Sequence, residues 1–215
     1  MSDAARRDAP PSPAALLDAI GWTPARAADL EAFRLRLEAA NGSMNLVGAA
    51  SLADFRARHF LDSAQLLWFA PGARTWADLG AGAGFPGLIL AILLKGAPGA
   101  RVHLVESVAK KCRFLAEAAA ALDLPAEVHN ARAETLALRV EVVTARACAP
   151  LGRLLAFARP TIEKGARALF LKGEGVDGEI VRAHQTWRFH ARTWPSLSDP
   201  RGRVLEVSAL APARG

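Results

Sequence analysis

A glycine-rich segment lies between an apolar strand and an apolar helix, where the chain is best suited to bind a nucleoside cofactor. The segment covers residues 78–87 and reads DLGAGAGFPG. Gly80, Gly82 and Gly84 occupy alternate positions, and glycine lets the backbone approach a ligand without a Cβ clash. The preceding residues predict a buried strand, and the apolar run after Pro86 predicts a helix with proline in its first turn.

The chemistry of this turn selects among cofactors. Its glycines also satisfy the dinucleotide pattern of nicotinamide enzymes. However, Pro86 has no N–H to offer a pyrophosphate, and the Asp78 carboxylate would repel phosphates. The same carboxylate would attract the cationic ammonium and sulfonium of S-adenosylmethionine. We therefore predict that the turn binds S-adenosylmethionine, with Asp78, Gly82 and Gly84 among the contacts. A dinucleotide site and a purely structural glycine turn are the alternatives.

The next predicted strand, 101–105, ends in a second carboxylate, Glu106. This acid lies about twenty residues beyond the glycine turn, where a carboxylate can accept both hydroxyls of an adenosine ribose. We predict that Glu106 binds the ribose. The alternative is that it only favours the N-terminus of the following helix, 107–123, through the helix dipole.

From residue 74 onward, predicted strands and helices alternate, which indicates a mostly parallel sheet covered by helices on both faces. Ligands in such folds lie beyond the carboxyl ends of the strands. We place strands at 74–79, 101–105, 127–130, 141–145, 166–172, 188–193 and 204–210.

Two helices precede the sheet. One starts at Thr23-Pro24 and is expected to run to about Ala40, where Asn41-Gly42 closes it; the second begins after Ser51 and ends before Pro71-Gly72. We predict a disordered lead over 1–11, a helical extension over 12–72 and a cofactor-binding domain over 73–211, the last two forming one compact unit.

Composition restricts the setting. Cys112 and Cys148 are the two cysteines among 215 residues, and no signal peptide is recognised, so we predict a cytoplasmic protein without disulfides. The longest apolar run, 88–94, is too short to span a membrane. The five histidines show no metal-ligand spacing, so we predict no metal site. A net charge of +6 makes an anionic partner plausible.

Several short segments, in this order and spacing, make the chain resemble the GidB/RsmG family, bacterial 16S ribosomal RNA guanine-N7 methyltransferases. The RHFLDS run at 58–63 and the TARA run at 144–147 are the most particular of them. The similarity extends from Asn45 to about Val207. The other matching segments are 45–47, 78–87, 106–107, 110–111, 113–115, 132–134 and 171–173.

The resemblance implies a Rossmann-like class I methyltransferase of the α/β class. Its sheet would have seven strands, the last of them antiparallel. It further implies that Gly80 and Phe85 line the cofactor pocket and that Ala133 and Glu134 border the adenine. Arg146 would sit where the cofactor and the target base meet.

Guanine N7 already carries a lone pair and loses no proton on methylation, so the reaction needs alignment rather than a base. We predict that Arg146 places the base or the cofactor carboxylate, the alternative being a surface ion pair. Arg58, His59 and Lys172 are predicted to contact RNA. Alternatively, Arg58 and Asp62 form an exposed four-apart pair on a helix.

These inferences predict a cytoplasmic, monomeric enzyme that uses S-adenosylmethionine to methylate the N7 of a guanine in 16S ribosomal RNA or a small-subunit particle, without membrane or metal. Two other classes of protein are the alternatives. A nicotinamide-dependent reductase is disfavoured by Pro86 and Asp78. A catalytically silent RNA-binding module would not explain why the turn glycines and Glu106 occur together.

Overall fold

The computed structural model describes residues 9–48 and 52–213, and within them seven strands form one sheet. The sheet order is β3-β2-β1-β4-β5-β7-β6, with β7 antiparallel to both of its neighbours and the other pairings parallel. The predicted seven strands and the antiparallel last strand are confirmed. The strands are β1 (Thr75–Leu79), β2 (Arg101–Glu106), β3 (Ala126–Asn130), β4 (Val142–Arg146), β5 (Arg167–Lys172), β6 (Trp187–Pro195) and β7 (Arg203–Pro212).

Helices cover both faces of the sheet, as predicted. One face packs against the helical extension and the two helices that follow β1 and β2, and the other packs against the helices that follow β4 and β5. The helices are α1 (Pro13–Ala19), α2 (Pro24–Met44), α3 (Asp62–Phe69), α4 (Gly87–Leu94), α5 (Ala109–Ala121), α6 (Leu151–Ile162) and α7 (Val176–Ala183), with a π-helix at Arg56–Leu61 and a 3₁₀ turn at Ala133–Thr135.

Helix α4 is the apolar helix predicted after the glycine turn. Every one of its residues is buried, as expected of a helix that is hydrophobic on all sides. It packs between β2 and helices α2 and α3, and so fixes the glycine turn at its N-terminus to the core. None of the helices in the described part of the chain is long and apolar enough to cross a membrane.

Helix α2 extends beyond its predicted end. It continues through Asn41-Gly42 to Met44, where Asn45 adopts a left-handed conformation with φ 48°. The prediction failed because the Asn41 side chain does not cap the helix; its amide instead accepts from the Val47 N–H at 2.9 Å and donates to the Val47 carbonyl at 3.0 Å. This pair of hydrogen bonds folds the chain back after the helix.

The predicted disordered lead and the predicted second helix of the extension both lie partly outside the described residues. Residues 1–8 of the predicted disordered lead lie outside the described residues, but the Ala9 carbonyl accepts a hydrogen bond from the Trp68 indole at 2.9 Å, and Pro11 is buried. Ser51 also lies outside the described residues. The helix predicted after it is present from Leu52, with π-helical geometry in its middle.

Candidate functional site

A cleft at the carboxyl ends of β1, β2 and β4 brings together several of the residues predicted to bind the cofactor. Its cavity has a volume of about 160 Å³. Gly80 and Glu106 line it from one side, and Ala133 and Glu134 from the 3₁₀ turn. We call it the glycine-turn cleft; its remaining lining residues are Val105, Ser107, Ala131, Arg132, Cys148, Arg153 and Phe157.

The glycines of the turn serve different purposes. A Cβ at Gly82 would make one ordinary van der Waals contact, 3.6 Å from the carbonyl oxygen of Gly80, so the described residues leave space beside this position. A Cβ at Gly84 would lie 2.6 Å from Leu88, inside the start of α4. Both backbones have positive φ, 54° and 96°. Gly82 therefore leaves room for a ligand, whereas Gly84, also predicted to bind the cofactor, is required for packing.

Asp78 is not at the surface of the cleft, contrary to the sequence prediction. It is fully buried, and one of its carboxylate oxygens accepts the Gly87 N–H at the start of α4 at 2.8 Å. Its other oxygen has no hydrogen-bond partner among the described residues. Burial raises the pKa of Asp78 to about 7, although the Gly87 hydrogen bond and Arg146 oppose this shift. Asp78 thus supports the turn from behind.

Glu106 joins the glycine turn to β2. Its carboxylate is 7% exposed and accepts the N–H of Gly82 at 3.0 Å and the N–H of Val108 at 2.9 Å. Each carboxylate oxygen has more than one lone pair, so these hydrogen bonds leave acceptor capacity for a ligand hydroxyl. The carboxylate is therefore oriented by the turn that it helps to shape.

A second, larger cavity of about 600 Å³ lies beside Arg146. We call it the polar pocket. It carries four basic and four acidic side chains, so its formal charges balance, and His59 adds an imidazole. Its lining residues are Arg58, His59, Asp62, Arg146, Ala147, Leu171, Lys172, Gly173, Glu174, Glu179, Ser198, Asp199, Arg201 and Gly202.

Arg146 is held rigidly at the edge of the polar pocket. One guanidinium nitrogen donates to the Arg58 carbonyl at 2.8 Å and lies 3.5 Å from the Asp62 carboxylate. Another donates to the His59 ring at 2.7 Å, and the guanidinium lies 4.8 Å from the centre of the Phe85 ring. Burial lowers the pKa of Arg146, and Asp62 is the largest influence that opposes this.

His59 is buried, which does not fit its predicted surface contact with RNA. It is 4% exposed and stacks on Phe85 with ring centres 4.2 Å apart. Arg146 is a donor only, so the His59 Nδ1 accepts and the proton resides on Nε2, for which residues 9–48 and 52–213 provide no partner. Burial, then Arg146 and Arg58, lower the pKa of His59 to about 3, so the ring is neutral at physiological pH.

Phe85 occupies the aromatic cluster under Arg146. It is 4% exposed and also packs against Phe33 and Phe55. The resemblance implies that Phe85 lines the cofactor pocket; in this structure its ring joins the extension to the turn. The geometry accounts for the position of Phe85 as a support for His59 and Arg146.

Asp62, which the sequence placed with Arg58 and His59 at the rim of the pocket or in a helical ion pair, is a centre of the network. One of its oxygens accepts the hydroxyls of Ser198 at 2.7 Å and Ser196 at 3.1 Å, and the amide of Gln65 at 3.0 Å. The serines belong to the loop between β6 and β7. No local motif marks that loop, and only the folded chain brings it to the pocket.

Lys172 was predicted to contact RNA, but its ammonium is paired with groups of the protein itself. Its side chain is 9% exposed, its ammonium lies 2.7 Å from the Glu179 carboxylate, and it donates to the Ala149 carbonyl at 3.1 Å. Reversing this charge would place two carboxylates together in a mostly buried position. Lys172 therefore lines the polar pocket as part of an ion pair, and its reversal would disturb the fold.

Arg58 is about half exposed at the mouth of the polar pocket, as expected for an RNA contact. It lies 3.8 Å from Asp199 rather than against Asp62, so the helical pair considered from the sequence is replaced by a contact with the β6–β7 loop. Arg201, also paired with Asp199, is 67% exposed in the same loop.

The chain between β4 and α6 separates the two cavities. Arg146 lines the polar pocket, whereas Cys148 lines the glycine-turn cleft. Ala147, between them, has a positive φ of 50°, an uncommon conformation for a residue with a Cβ. A Cβ at Gly80 would lie 2.6 Å from the Cys148 sulfur, so this wall packs directly on the turn.

Comparison with known proteins identifies the family. The family model described as GidB, rRNA small subunit methyltransferase G, matches residues 26–201. Proteins named ribosomal RNA small subunit methyltransferase G are 53% identical over 209 residues in Caulobacter vibrioides strain NA1000, covering 94% of this chain and 97% of that one, and 58% identical over 194 residues in Caulobacter sp. strain K31, covering 90% and 88%.

Two solved structures share the fold at low sequence identity. A SAM dependent methyltransferase from Aquifex aeolicus has a TM-score of 0.56 and 16% identity, with 74% of this chain and 95% of that one covered. Cofactor-bound Rv0187 from MTB has a TM-score of 0.55 and 21% identity, with 94% and 98% covered. The sheet and its helices thus have the class I methyltransferase architecture.

Proposed function

Because the chain belongs to the GidB family of rRNA small subunit methyltransferases G, and is therefore an S-adenosylmethionine-dependent enzyme, we propose that it methylates the N7 of one guanine in 16S ribosomal RNA. The observation that carries this proposal is the position of Arg146. It is fixed at the edge of a pocket with balanced charges, two residues from the Cys148 wall of the glycine-turn cleft.

The residues of the glycine-turn cleft fit the cofactor. The missing Cβ of Gly82 leaves a bare backbone position, and the Glu106 carboxylate is oriented at the end of β2. We assign the ribose to Glu106 and the adenine edge to Ala133 and Glu134, which lie in the same cavity. S-adenosylmethionine supplies an electrophilic methyl group on a sulfonium. Asp78 contributes at a distance, through the turn that it holds.

The polar pocket suits a neutral, planar base. Its basic and acidic side chains balance, so it offers hydrogen bonds without a strong net field for a free phosphate group. A guanidinium can donate to the O6 edge of guanine. The guanidinium of Arg146 is fixed in position by the Arg58 carbonyl, the His59 ring and the Phe85 ring. The nearby acidic side chains would favour the positive charge that the ring acquires on methylation.

No side chain of the pocket has to remove a proton. The His59 Nδ1 lone pair is already occupied by Arg146, so the histidine is not available as a base. This agrees with an N7 acceptor, which reacts through its own lone pair. The residues contribute by alignment, which in favourable systems is worth about five or more orders of magnitude in effective concentration.

The test maps modified guanines in 16S ribosomal RNA from cells with and without this protein, and then compares purified acceptors. Folded 16S RNA or small-subunit particles should accept the methyl group. A plain RNA duplex should be a very poor acceptor, because an A-form major groove is too deep and narrow to expose N7 to a protein. Free guanosine monophosphate should also be poor. Efficient methylation of the free nucleotide would contradict the RNA assignment.

Two further parts of the proposal concern the protein as a whole. We propose a cytoplasmic monomer; light scattering would test the oligomeric state. We also propose that the extension and the sheet domain fold as one unit. Leu30, Phe33 and Leu37 of α2 belong to the same core cluster as the residues of α4.

A further inference from the structure

Three potential metal ligands meet on the outer strands of the sheet, away from both cavities. His103 lies on β2, and Glu127 and His129 lie on the neighbouring edge strand β3. The register pairs His103 with Glu127, and residues two apart on a strand share a face, so the three side chains project together. The histidines that showed no ligand spacing in the sequence are adjacent in the sheet.

The distances among their ligand atoms fit a single ion. His103 Nδ1 and His129 Nε2 lie 2.9 Å apart in a hydrogen bond that a shared ion would replace. Glu127 Oε2 lies 3.6 Å from His103 Nδ1, and Glu127 Oε1 lies 3.6 Å from His129 Nε2. Ligands about 2.0–2.1 Å from a tetrahedral zinc ion are about 3.3 Å apart. Within residues 9–48 and 52–213, this is the one group of three or more His, Cys, Asp or Glu side chains whose ligand atoms all lie within 4.8 Å.

The surroundings of the cluster also suit a ligand set. The two histidine side chains are 13% and 20% exposed, so their rings are confined, while the Glu127 side chain is 47% exposed and leaves the group open to solvent. The Arg101 guanidinium donates to the Glu127 carboxylate at 3.2 Å. A hydrogen bond of this kind orients a ligating carboxylate, although the positive charge of Arg101 lowers the attraction for a cation.

We propose that His103, Glu127 and His129 bind a divalent transition metal, with zinc as the expected ion. Two imidazoles and one carboxylate form a ligand set used for zinc, and zinc binds such nitrogen and oxygen sites more tightly than iron(II) does. Three protein ligands leave a fourth position for water. The site is separate from the cofactor, because Glu106 lies three residues beyond His103 and projects from the opposite face of β2.

The expected consequence is structural. An ion held by both strands would join the edge strand β3 to β2, and a ligand that binds only the folded state raises the melting temperature. Metal occupancy would thereby stabilise the edge of the sheet that leads, through Asn130, to the 3₁₀ turn of the glycine-turn cleft.

The experiment titrates Zn²⁺ alone into the untagged, chelator-treated full chain by calorimetry, and follows thermal unfolding with and without the ion. The protein should bind one equivalent and melt at a higher temperature with Zn²⁺. His103→Gln and His129→Gln should each weaken Zn²⁺ binding at least about tenfold, since even residues outside the coordination sphere commonly change metal affinity by 10–100-fold. His190→Gln, at an exposed position on β6, is the matched control and should bind like the wild type.

Substitution with Co²⁺ identifies the ligands. The wild type should give the visible absorption of a four-coordinate nitrogen and oxygen site, and Glu127→Gln should weaken or abolish it. Each variant should keep its unfolding temperature without metal and its affinity for S-adenosylmethionine, which shows that the fold is intact. Unchanged Zn²⁺ affinity in both histidine variants, or a thiolate-to-cobalt charge-transfer band that places the ion on a cysteine, would overturn the proposal.

Discussion

The two cavities on either side of residues 146–148 are built by different means. The glycine-turn cleft is shaped mainly by backbone: Gly80 lines it without a side chain, and the N–H groups of Gly82 and Val108 orient the Glu106 carboxylate. The polar pocket is shaped by charged side chains centred on Arg146 and Asp62. A site made of backbone loses function when a side chain is added, whereas a site made of side chains loses function when one is removed.

The two cavities also differ in which parts of the chain form them. The turn and the end of β2 are neighbouring strand ends, so the cleft is built largely from consecutive units of the sheet. The polar pocket draws on the π-helix, the ends of β4 and β5, and the β6–β7 loop. Asp62 and Ser198, which are 136 residues apart in sequence, are joined there by a 2.7 Å hydrogen bond.

The largest effect is expected from removing Arg146. Arg146→Ala should lower single-turnover methyl transfer to 16S RNA about 10²–10³-fold at saturating S-adenosylmethionine, because loss of alignment alone commonly costs about 10²-fold. Cofactor affinity should change little, since Arg146 lines the polar pocket and not the glycine-turn cleft. Quench-flow kinetics and calorimetry would measure the two quantities.

The matched control for Arg146→Ala is Arg36→Ala, at an exposed position on α2. It should leave turnover unchanged. Arg146→Ala should also lower the free energy of unfolding, because it leaves Asp62 and His59 without their common partner, so folding is checked by circular dichroism. Nearly full turnover by Arg146→Ala would show that Arg146 serves only in a structural ion pair. The proposed difference between the two cavities would then be wrong.

Adding side chains to the glycine turn should separate ligand binding from packing. Gly82→Val is expected to weaken S-adenosylmethionine binding about 100-fold or more, because its side chain would enter the space left for the ligand and would strain a backbone with φ 54°. Gly84→Ala should mainly lower the free energy of unfolding, by about 1–3 kcal/mol, because its methyl group would meet Leu88. Calorimetry and urea denaturation would measure both variants. Wild-type cofactor affinity in Gly82→Val would contradict the assignment of the turn.

The pH dependence of stability tests the role of the buried Asp78 carboxylate, which holds the glycine turn through Gly87. Its folded pKa, about 7, lies above the ordinary aspartate value, so the folded state holds a proton that the unfolded state releases. The wild type should therefore lose stability as pH rises from about 4 to 7. Asp78→Asn keeps an acceptor for the Gly87 N–H but cannot ionise. Its free energy of unfolding relative to the wild type should rise by about 2 kcal/mol between pH 5 and 7, then level off.

Comparing the variant with the wild type cancels other titrations, including that of His59. The lowered pKa of His59 works in the opposite direction, because the unfolded state binds a proton there first as the pH falls below about 6.5. Urea denaturation at several pH values gives the required differences. A constant difference between Asp78→Asn and the wild type across pH 5 to 8 would show that Asp78 is ionised throughout.

The smallest effect is expected at the mouth of the polar pocket. Arg201→Ala and Arg58→Ala should each weaken 16S RNA binding only a few-fold, because exposed arginines contact phosphates without sequence selectivity. The slope of log affinity against log salt should fall by about one for each lost phosphate contact. Cofactor affinity should not change. A salt slope equal to that of the wild type in both variants would exclude these residues from the RNA surface.

The sequence predicts the cleft better than the pocket for a physical reason. Strands, glycines and strand-end carboxylates are local signals, so the position of β1, β2 and Glu106 could be read directly. The burial of His59 and the commitment of Lys172 to Glu179 depend on packing between distant segments. Even Asp78, which lies within the motif, was misplaced, because the direction of a side chain at a strand end depends on the helix that follows.

Local sequence patterns could not predict the register between neighbouring strands either. His103 and His129 are 26 residues apart in sequence, and only the parallel pairing of β2 with β3 brings their rings together. The same limit applies to Asn41, whose turn-forming character was recognised but whose partner, Val47, was not. Residue type indicated chemistry in both cases, and the partners required the fold.

The position of β7 between β5 and β6 affects the order of events during synthesis. Protein synthesis delivers β6 before β7, the strand with which it pairs, so β6 has no place in the sheet when it first emerges. The loop joining them carries Ser198 and Asp199, which form one wall of the polar pocket. A nascent chain can therefore assemble β1 to β5 before this wall exists. The proposed RNA-facing wall is therefore made of chain that is synthesised after the strands of the cofactor cleft.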